Sequence, residues 1–210
     1  MSVSVLSLTK LAYGLLQDRL SDLGFEKRKP GVFSSVVAED VVGWIGLNTA
    51  TRGRKDSVEI NPVVGVRNQR IERLVAEAAG EHFDDLIPPT VAGNVGYLSP
   101  AHRYLPFTFS EGGSNDNVAD GLCEAVKVNG LPFMKKMVDL RSLVETMQTT
   151  RLGIPEQLNY RIPVGLWLLG DADKAKAFIA AKLAEIGTRA DPAALRYRSF
   201  VTRLNAQIGC

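Results

Sequence analysis

The hydrophobic pattern changes from strand-like to helix-like near residue 110, and this change constrains the fold more than any other feature of the sequence. Residues 32–38 and 41–48 have the short, apolar, β-branched composition of strands. After residue 117, the hydrophobic segments have helical spacing. Strands followed by helices indicate an α+β fold rather than alternating α/β. We predict an antiparallel sheet of about five strands, with an N-terminal helix and a C-terminal helical region packed on one face.

Strand-like segments in the first half of the chain predict the sheet. They span residues 32–38, 41–48, 58–66, 95–98 and 103–109. The first two are joined by a Glu39-Asp40 turn and predict a β-hairpin. The second is apolar on both faces, which predicts a central strand with Trp44 in the core. Pro62 cannot donate a ladder hydrogen bond, so the third strand is expected to be at an edge or bulged.

Periodicity and capping residues predict the helices. The expected ranges are 8–23, 69–79, 118–129, 132–149, 162–169, 171–186 and 191–207. Gly24 follows the first at the position of a left-handed C′ residue, and Phe25 comes next, where it can pack back on the helix. Asn68 and Gly80 flank the second as N-cap and stop.

Length and composition favour one globular domain. The chain has 210 residues, of which 45% are hydrophobic and 23% charged, which excludes wholesale disorder and membrane classes. We expect residues 1–210 to form a single domain. Its mostly β part spans 1–109 and includes two helices, and its helical part spans 118–208. The turn-forming segment 110–117 is the expected internal boundary.

Charge and cysteine content restrict the compartment and the partners. The net charge of +2 is too balanced for a protein that coats nucleic acid or anionic lipid, although the middle third is acidic. Met1 to Leu8 lacks the pattern of a signal peptide, and the apolar run 162–170 is too short to span a membrane. Cys123 and Cys210 have no metal-ligand or disulfide-framework spacing. We therefore expect a cytoplasmic protein with no membrane partner.

No familiar catalytic signature is present in the sequence. It lacks a phosphate-binding Gly-rich loop, a dinucleotide fingerprint, a nucleophile elbow and zinc-spaced cysteines or histidines. His82 and His102 are the two histidines, which excludes an imidazole-rich site. We predict no catalytic residue, no metal and no cofactor. An enzyme with a carboxylate-based site stays an alternative, which a cleft lined by convergent acidic side chains would favour.

One loop has a mixture of side chains that resembles a metal site. Glu81, His82, Asp84 and Asp85 lie close together in sequence, and imidazole and carboxylates bind divalent ions. Their spacing matches no known motif, so we interpret them as a solvated acidic patch. A dyad of Cys123 and His102 is not expected, because Cys123 lies on the apolar side of its helix.

Two polar clusters are candidates for partner binding, and the alternative for both is a solvated surface. They consist of Arg52, Arg54 and Lys55 on a connection between strands, and of His102, Arg103 and Tyr104 after Pro100. The connection 49–55 has no aromatic residue on which bases would stack, which argues against nucleic acid. Weak nucleic-acid binding through loop 51–55 and the arginines of the last helix stays an alternative.

Two short motifs carry a resemblance to a known family. Leu23-Gly24-Phe25 is followed by Lys27, Arg28 and Phe33, and Gly130-Leu131-Pro132-Phe133 comes later. In these two motifs the chain resembles a broad bacterial family known mainly as a domain of unknown function, and the resemblance covers about residues 6–145. Some such small α+β proteins are similar to immunity proteins of polymorphic toxins, which neutralise an effector by docking on it. The resemblance supplies no catalytic residues.

The working hypothesis is therefore a non-enzymatic, cytoplasmic, protein-binding module of a bacterium, related in role to toxin-immunity proteins or antitoxins. This hypothesis rests on the absence of catalytic motifs from the sequence, on the uneven distribution of charge along the chain and on the resemblance to the family. The expected contacts are the loop 52–55 or acidic side chains of the middle third of the chain.

Overall fold

The structure is a computed structural model and describes residues 5–86, 88–150 and 152–207. The strands of the described chain are β1 (Glu26–Lys29), β2 (Val32–Ala38), β3 (Val41–Ala50), β4 (Ser57–Asn68), β5 (Val91–Asn94) and β6 (Phe107–Ser110). Its α-helices are α1 (Val5–Asp22), α2 (Gln69–Ala79), α3 (Asn115–Ala125), α4 (Leu131–Lys136), α5 (Leu140–Thr149), α6 (Pro155–Leu168), α7 (Ala172–Ile186) and α8 (Pro192–Gln207). An N-terminal helix, an antiparallel sheet and C-terminal helices confirm the α+β class.

The chain forms two compact units. The first comprises the residues up to Val66 together with Ala92–Met137. The second comprises Arg67–Val91 and the residues from Val138 onward. The turn-forming segment 110–117 lies inside the first unit. The chain instead passes between the units within β4, within β5 and after α4.

The sheet has the strand order β1-β2-β3-β4-β5, with β6 also paired to β4. The predicted hairpin is present, with Phe33 opposite Ile45 in β2 and β3, and β3 is the middle strand of the order. Trp44, predicted to be in the core, is half-buried. Alternation along β3 puts Ile45 on the buried face and Trp44 on the other. The indole covers Gly46, where an added Cβ would lie 2.3 Å from the ring.

β4 carries the predicted buried stripe but is not an edge strand. Its apolar residues Val58, Ile60, Val64 and Val66 are at most 1% exposed. It pairs with β3, β5 and β6, so the edge position predicted from Pro62 is wrong. β6 pairs with Ser57–Ile60 and stops before Pro62, so this pairing needs no amide hydrogen from the proline.

The C-terminus of α1 has the predicted glycine stop. Gly24 has φ +84°, and the Phe25 amide donates to the Leu20 carbonyl at 2.9 Å, as in a Schellman motif. Phe25 is 2% exposed. In the last turns of the same helix, Arg19 forms ion pairs with Asp116 and Asp120 of α3, at 3.0 and 2.6 Å.

Two segments predicted as strands differ from the structure. Residues 95–98 form a 3₁₀ turn, because the Asn94 side chain accepts a hydrogen bond from the Gly96 amide at 2.9 Å. The strand lies just before this turn, in β5. In the predicted strand 103–109, pairing begins only at Phe107, directly after Pro106, which has no amide hydrogen to donate.

In the second unit, α2 has both predicted caps. The Asn68 side chain accepts from the Ile71 amide at 3.0 Å, and Gly80 ends the helix with φ +71°. Asp191 likewise accepts from the first turn of α8.

The predicted helix 132–149 is two helices. Asp139 interrupts it, because its carboxylate accepts from the Ser142 amide at 2.8 Å and caps α5. α6 begins at Pro155 rather than at Ile162.

Cys123 is buried in α3, whereas Cys210 lies outside the described residues. Among the helices of the described segments, none has the length and apolar character needed to cross a membrane.

Candidate functional site

The second unit contains a cavity of about 700 Å³, within the range of small-molecule sites. α2 lines it with Glu72, Val75, Ala76 and Ala79. These positions are spaced i, i+3, i+4 and i+7, so they form one face of the helix. The two alanines leave space between α2 and its neighbours, α6 and α8.

Three further elements complete the walls of the cavity. They contribute Tyr160 and Arg161 from α6, Pro192 and Arg196 from α8, and Glu81 and His82 from the loop after α2. Charged side chains, five acidic and three basic, make up about half of the lining residues and face the same space as the apolar ones.

A buried ion network forms the inner wall. Arg67, Glu72 and Arg161 are only 3%, 6% and 2% exposed. Arg161 Nε lies 2.8 Å from Glu72 Oε1, and its Nη2 lies 3.1 Å from Oε2. Arg67 Nη1 lies 3.4 Å from the same Oε2. Two guanidinium groups share the Glu72 carboxylate, and Asp84, which also lines the cavity, supplies a further negative charge near Arg67.

Thr90 holds this network in place. Its hydroxyl donates to Glu72 Oε1 at 2.6 Å and accepts from the Asn68 amide at 2.9 Å. Its carbonyl accepts from Arg161 Nη1 at 3.1 Å. Every partner of the Glu72 carboxylate is therefore fixed by the backbone or by another buried group.

One nitrogen of Arg67 lacks a hydrogen-bond partner among the described residues. Its guanidinium donates to the carbonyls of Asp84 and Pro88 and lies 5.4 Å from the centre of the Phe83 ring. Its Nε–H is buried and has no acceptor among the described residues. Burial lowers the pKa of Arg67 and the charge of Arg161 adds to this shift, whereas the charges of Glu72, Asp84 and Asp85 oppose it.

The mouth of the cavity is more exposed and more acidic. Glu81 and Glu156 are exposed and have no ion pair with a described residue. Burial raises the pKa of Tyr160, the Arg196 charge opposes this, and the Glu81 charge adds to it. These three side chains therefore act on one another electrostatically. The buried Oε1 of Gln157, also in the wall, has no donor among the described groups.

The residues with a metal-like spacing fall at this mouth. Glu81, His82 and Asp84 line the cavity, whereas Asp85 does not. Within the described ranges, no group of three or more His, Cys, Asp or Glu side chains is placed to hold a metal ion. The cavity wall near these residues is a mixed surface of acidic and basic groups.

The two clusters predicted for partner binding are partly brought together in the first unit. The Arg52 guanidinium lies 5.9 Å from the centre of the Tyr104 ring and 2.8 Å from a Glu59 oxygen. The Tyr104 hydroxyl donates to the Asn61 side chain. Loop 51–55 and loop 102–104 thus form one surface, which we call the Arg52–Tyr104 surface.

The other predicted partner residues are exposed. Arg54, Lys55, His102 and Arg103 make no ion pair with a described residue. Arg52 and His102 have φ of +47° and +43°, the two non-glycine residues with positive φ in the described chain. Both loops therefore hold a strained residue at their surface.

The arginines of α8 serve the second unit itself. Arg198 donates to the carbonyls of Gly187 and Arg189, at 2.6 and 2.7 Å, and so binds the end of α7. Arg196 lines the cavity. Arg196 and Arg198 therefore do not form a free basic surface on α8.

Sequence reasoning missed Arg67, Glu72 and Arg161. The available signal was a charged residue directly beside an apolar run: Arg67 follows Val66, and Arg161 precedes Ile162. Glu72 is one turn before Val75 and Ala76 on the helix. Two cations and one anion at such positions indicate buried pairing, although not which residues meet.

Comparison of the chain with protein families, with curated proteins and with solved structures gives no match. Function is therefore inferred from the geometry of the chain.

Proposed function

We propose that the protein is a non-catalytic binding protein and that the cavity of the second unit holds a small acidic organic molecule. The observation that carries this proposal is Arg67, a buried cation in the cavity wall whose Nε–H lacks an acceptor. A carboxylate or phosphate group would accept this hydrogen bond after a local shift of the wall, because the Nε atom itself is fully buried.

The two guanidinium groups of the buried network would attract an anionic head group. They share the Glu72 carboxylate, and Asp84 and Asp85 supply further negative charge near Arg67. Coulombic attraction is stronger in a partly desolvated site than in water. The apolar surface of Val75, Ala76 and Pro192 would contact the rest of the ligand.

Binding is favoured over the alternative of a carboxylate-based enzyme. Acidic side chains do converge on the cavity, which is what that alternative requires. The most buried of them, Glu72, has both oxygens engaged by arginines and so is not free to transfer a proton. Glu81 and Glu156 are exposed, where an acid–base pair gains no protection from water.

Caproate, a carboxylate with a short apolar tail, is the probe that tests the proposal. We expect saturable binding by calorimetry and, in proton–nitrogen correlation spectra, shifts of the amides of Val75, Ala76 and Tyr160. Arg67→Gln should weaken binding at least about tenfold, since it removes a charged hydrogen bond. Arg141→Gln, on an exposed position of α5 outside the cavity, is the matched control and should bind as the wild type does.

A second variant guards against misfolding of Arg67→Gln. Ala79→Leu fills the cavity without touching the ion network and should abolish binding. Ala180→Leu makes the same change at an exposed position of α7. Unchanged amide shifts around the cavity, or equal affinity of Ala79→Leu and Ala180→Leu, would refute the proposal.

A second candidate function is docking of a protein partner on the Arg52–Tyr104 surface, as in an immunity or antitoxin-like protein of the bacterial cytoplasm. The specific support is the strained backbone at Arg52 and His102, since strain of this kind concentrates at functional sites. The basic side chains of Arg54 and Lys55 suit an acidic segment of the partner.

Charge reversal tests this second candidate. Arg54→Glu/Lys55→Glu should abolish capture of the one protein that the wild type retains from host extract at low salt. Lys135→Glu/Lys136→Glu changes the charge equally at exposed positions of α4 and should leave capture intact. Equal recovery by all three chains would exclude docking at this surface.

A further inference from the structure

We infer that residues 81–86, which we call the strap, occupy the acid-binding position at Arg67 and must open before a ligand can take it. This inference rests on the proposed function and describes how access to the same site is controlled. It follows from the contacts that join Arg67 to the strap and from the burial of the guanidinium group.

The strap supplies groups that a ligand acid would otherwise supply. Arg67 donates from Nη2 to the Asp84 carbonyl and is 3% exposed. Burial lowers the pKa of Arg67, and the charges of Asp84 and Asp85 oppose this shift, so the strap also brings negative charge to the guanidinium. A ligand carboxylate offers the same two things, an acceptor oxygen and a negative charge. Ligand and strap therefore compete for Arg67.

Two further contacts hold the strap closed. The Gln69 side chain of α2 donates to the Asp85 carbonyl at 2.8 Å. The Phe83 ring lies against two guanidinium groups, with its centre 5.4 Å from that of Arg67 and 5.1 Å from that of Arg73. Each contact of this kind contributes little at a partly exposed position. The closed strap is therefore held by several weak contacts rather than by one strong one.

Little buried apolar surface resists opening of the strap. Four of its six side chains are exposed, and the other two, Phe83 and Leu86, are half-buried. Segments with exposed hydrogen bonds and few buried apolar side chains open at a low cost in free energy. The strap also borders the cavity, because His82 and Asp84 line it. Opening of the strap would therefore expose Arg67 to the cavity.

A ligand that needs the open strap binds more tightly when the contacts of the strap are weakened. Its apparent affinity is reduced by the fraction of molecules in which the strap is open, so a variant that favours opening raises that affinity. A strap that formed a fixed wall of the site would give the opposite result, because weakening it would remove contacts with the ligand.

Two substitutions in the full-length protein test this inference, with caproate as the probe. Gln69→Ala removes a hydrogen bond to the strap and Phe83→Leu removes the ring, and neither residue lines the cavity. Each should tighten caproate binding by about two- to fivefold, the effect of one weak contact. Gln17→Ala in α1 and Phe133→Leu in α4 make the same changes in the first unit and should leave the affinity unchanged.

Caproate should also make the strap easier to cleave. The protease Asp-N cuts before aspartate, and its cuts before Asp84 and Asp85 require an open strap. Saturating caproate should speed these cuts at least about twofold relative to the cut before the exposed Asp173 of α7, because it stabilises the open form. A ligand that contacts a fixed wall would instead protect it.

The outcomes separate the strap from the site itself. If caproate binds to the wild type, neither substitution tightens binding and strap cleavage slows or stays constant, the strap inference is wrong and the proposed function stands. If caproate binds neither to the wild type nor to the two variants, both are wrong.

Discussion

Replacing Glu72 with glutamine should destabilise the second unit strongly. Glu72 is 6% exposed and accepts from Arg161 at 2.8 and 3.1 Å and from Thr90 at 2.6 Å. Glutamine has nearly the same volume, so no cavity arises. It lacks the negative charge, however, and its amide nitrogen would face a guanidinium donor. Arg67 and Arg161 would then be buried without a counter-ion.

The expected loss is about 3–5 kcal/mol, because removing one partner of a buried ion pair leaves an uncompensated charge. Domains are usually stable by about 5–15 kcal/mol, so this is a large fraction of the total. For a chain of this size, a change of about 1 kcal/mol shifts Tm by roughly 2–4 °C. The transition that reports on the second unit should therefore fall by about 6–20 °C.

The two tryptophans allow this transition to be measured separately. Trp44 belongs to the first unit and Trp167 to the second. In a Trp44→Phe background, urea unfolding followed by tryptophan fluorescence reports on the second unit. Glu77→Gln, an exposed position on α2, is the control and should change stability by less than about 0.5 kcal/mol. A loss below about 1 kcal/mol for Glu72→Gln would mean that the network is not the buried, desolvated pair described above.

Three further predictions concern other residues. Gly43→Ala should cost about 1–3 kcal/mol, because its Cβ would lie 2.8 Å from a methionine sulfur of α4. At Gly121, in an exposed part of α3, an added Cβ would have its nearest contact at 3.8 Å, so Gly121→Ala should stabilise the protein by up to about 1 kcal/mol. Urea unfolding of the Gly43→Ala and Gly121→Ala variants measures both effects. Burial raises the pKa of the Cys123 thiol to about 11. In a Cys210→Ser background, a thiol reagent at pH 8 should therefore react with the native protein roughly a hundredfold more slowly than with an unfolded control. Rapid labelling of the native protein would contradict this. The hydrogen bond from the α5 backbone lowers the pKa of Asp139. The contribution of this cap to stability is therefore fully present above the ordinary pKa of an aspartate, and it is lost as the pH falls through the lowered pKa of the folded state. The destabilisation by Asp139→Ala should accordingly shrink below about pH 4, and a constant difference from pH 7 to pH 2 would argue against the cap.

The sequence predicted those elements whose ends are set by neighbours in the chain. Gly24 and Gly80 adopt the positive φ expected of helix stops, and Asn68 accepts the hydrogen bond expected of an N-cap. The hairpin of β2 and β3 was also predicted, because its turn connects adjacent strands. In each case the stabilising contact lies within a few residues of the signal.

Predictions failed where a distant strand or an unrecognised cap decides the outcome. Pro62 indicates an edge strand or a bulge, and the edge position is wrong, because β6 pairs with β4 only up to Ile60 and the proline is accommodated inside the sheet. Asp139 lies within a continuous helical pattern, and its capping of α5 overrides that pattern. A pairing register that depends on a strand far along the chain cannot be derived from local composition.

The cavity illustrates the same limit for function. Arg67 ends a strand, Glu72 begins a helix and Arg161 precedes an apolar run, and each is by itself an ordinary charged residue at the end of an element. They become informative only when folding removes all three from water within hydrogen-bonding distance. Apolar side chains of similar volume would stabilise such a position equally well, so stability alone does not account for two buried guanidinium groups with one carboxylate. The proposed acidic ligand would give these buried guanidinium groups a role that stability does not require, because the cavity adjoins them.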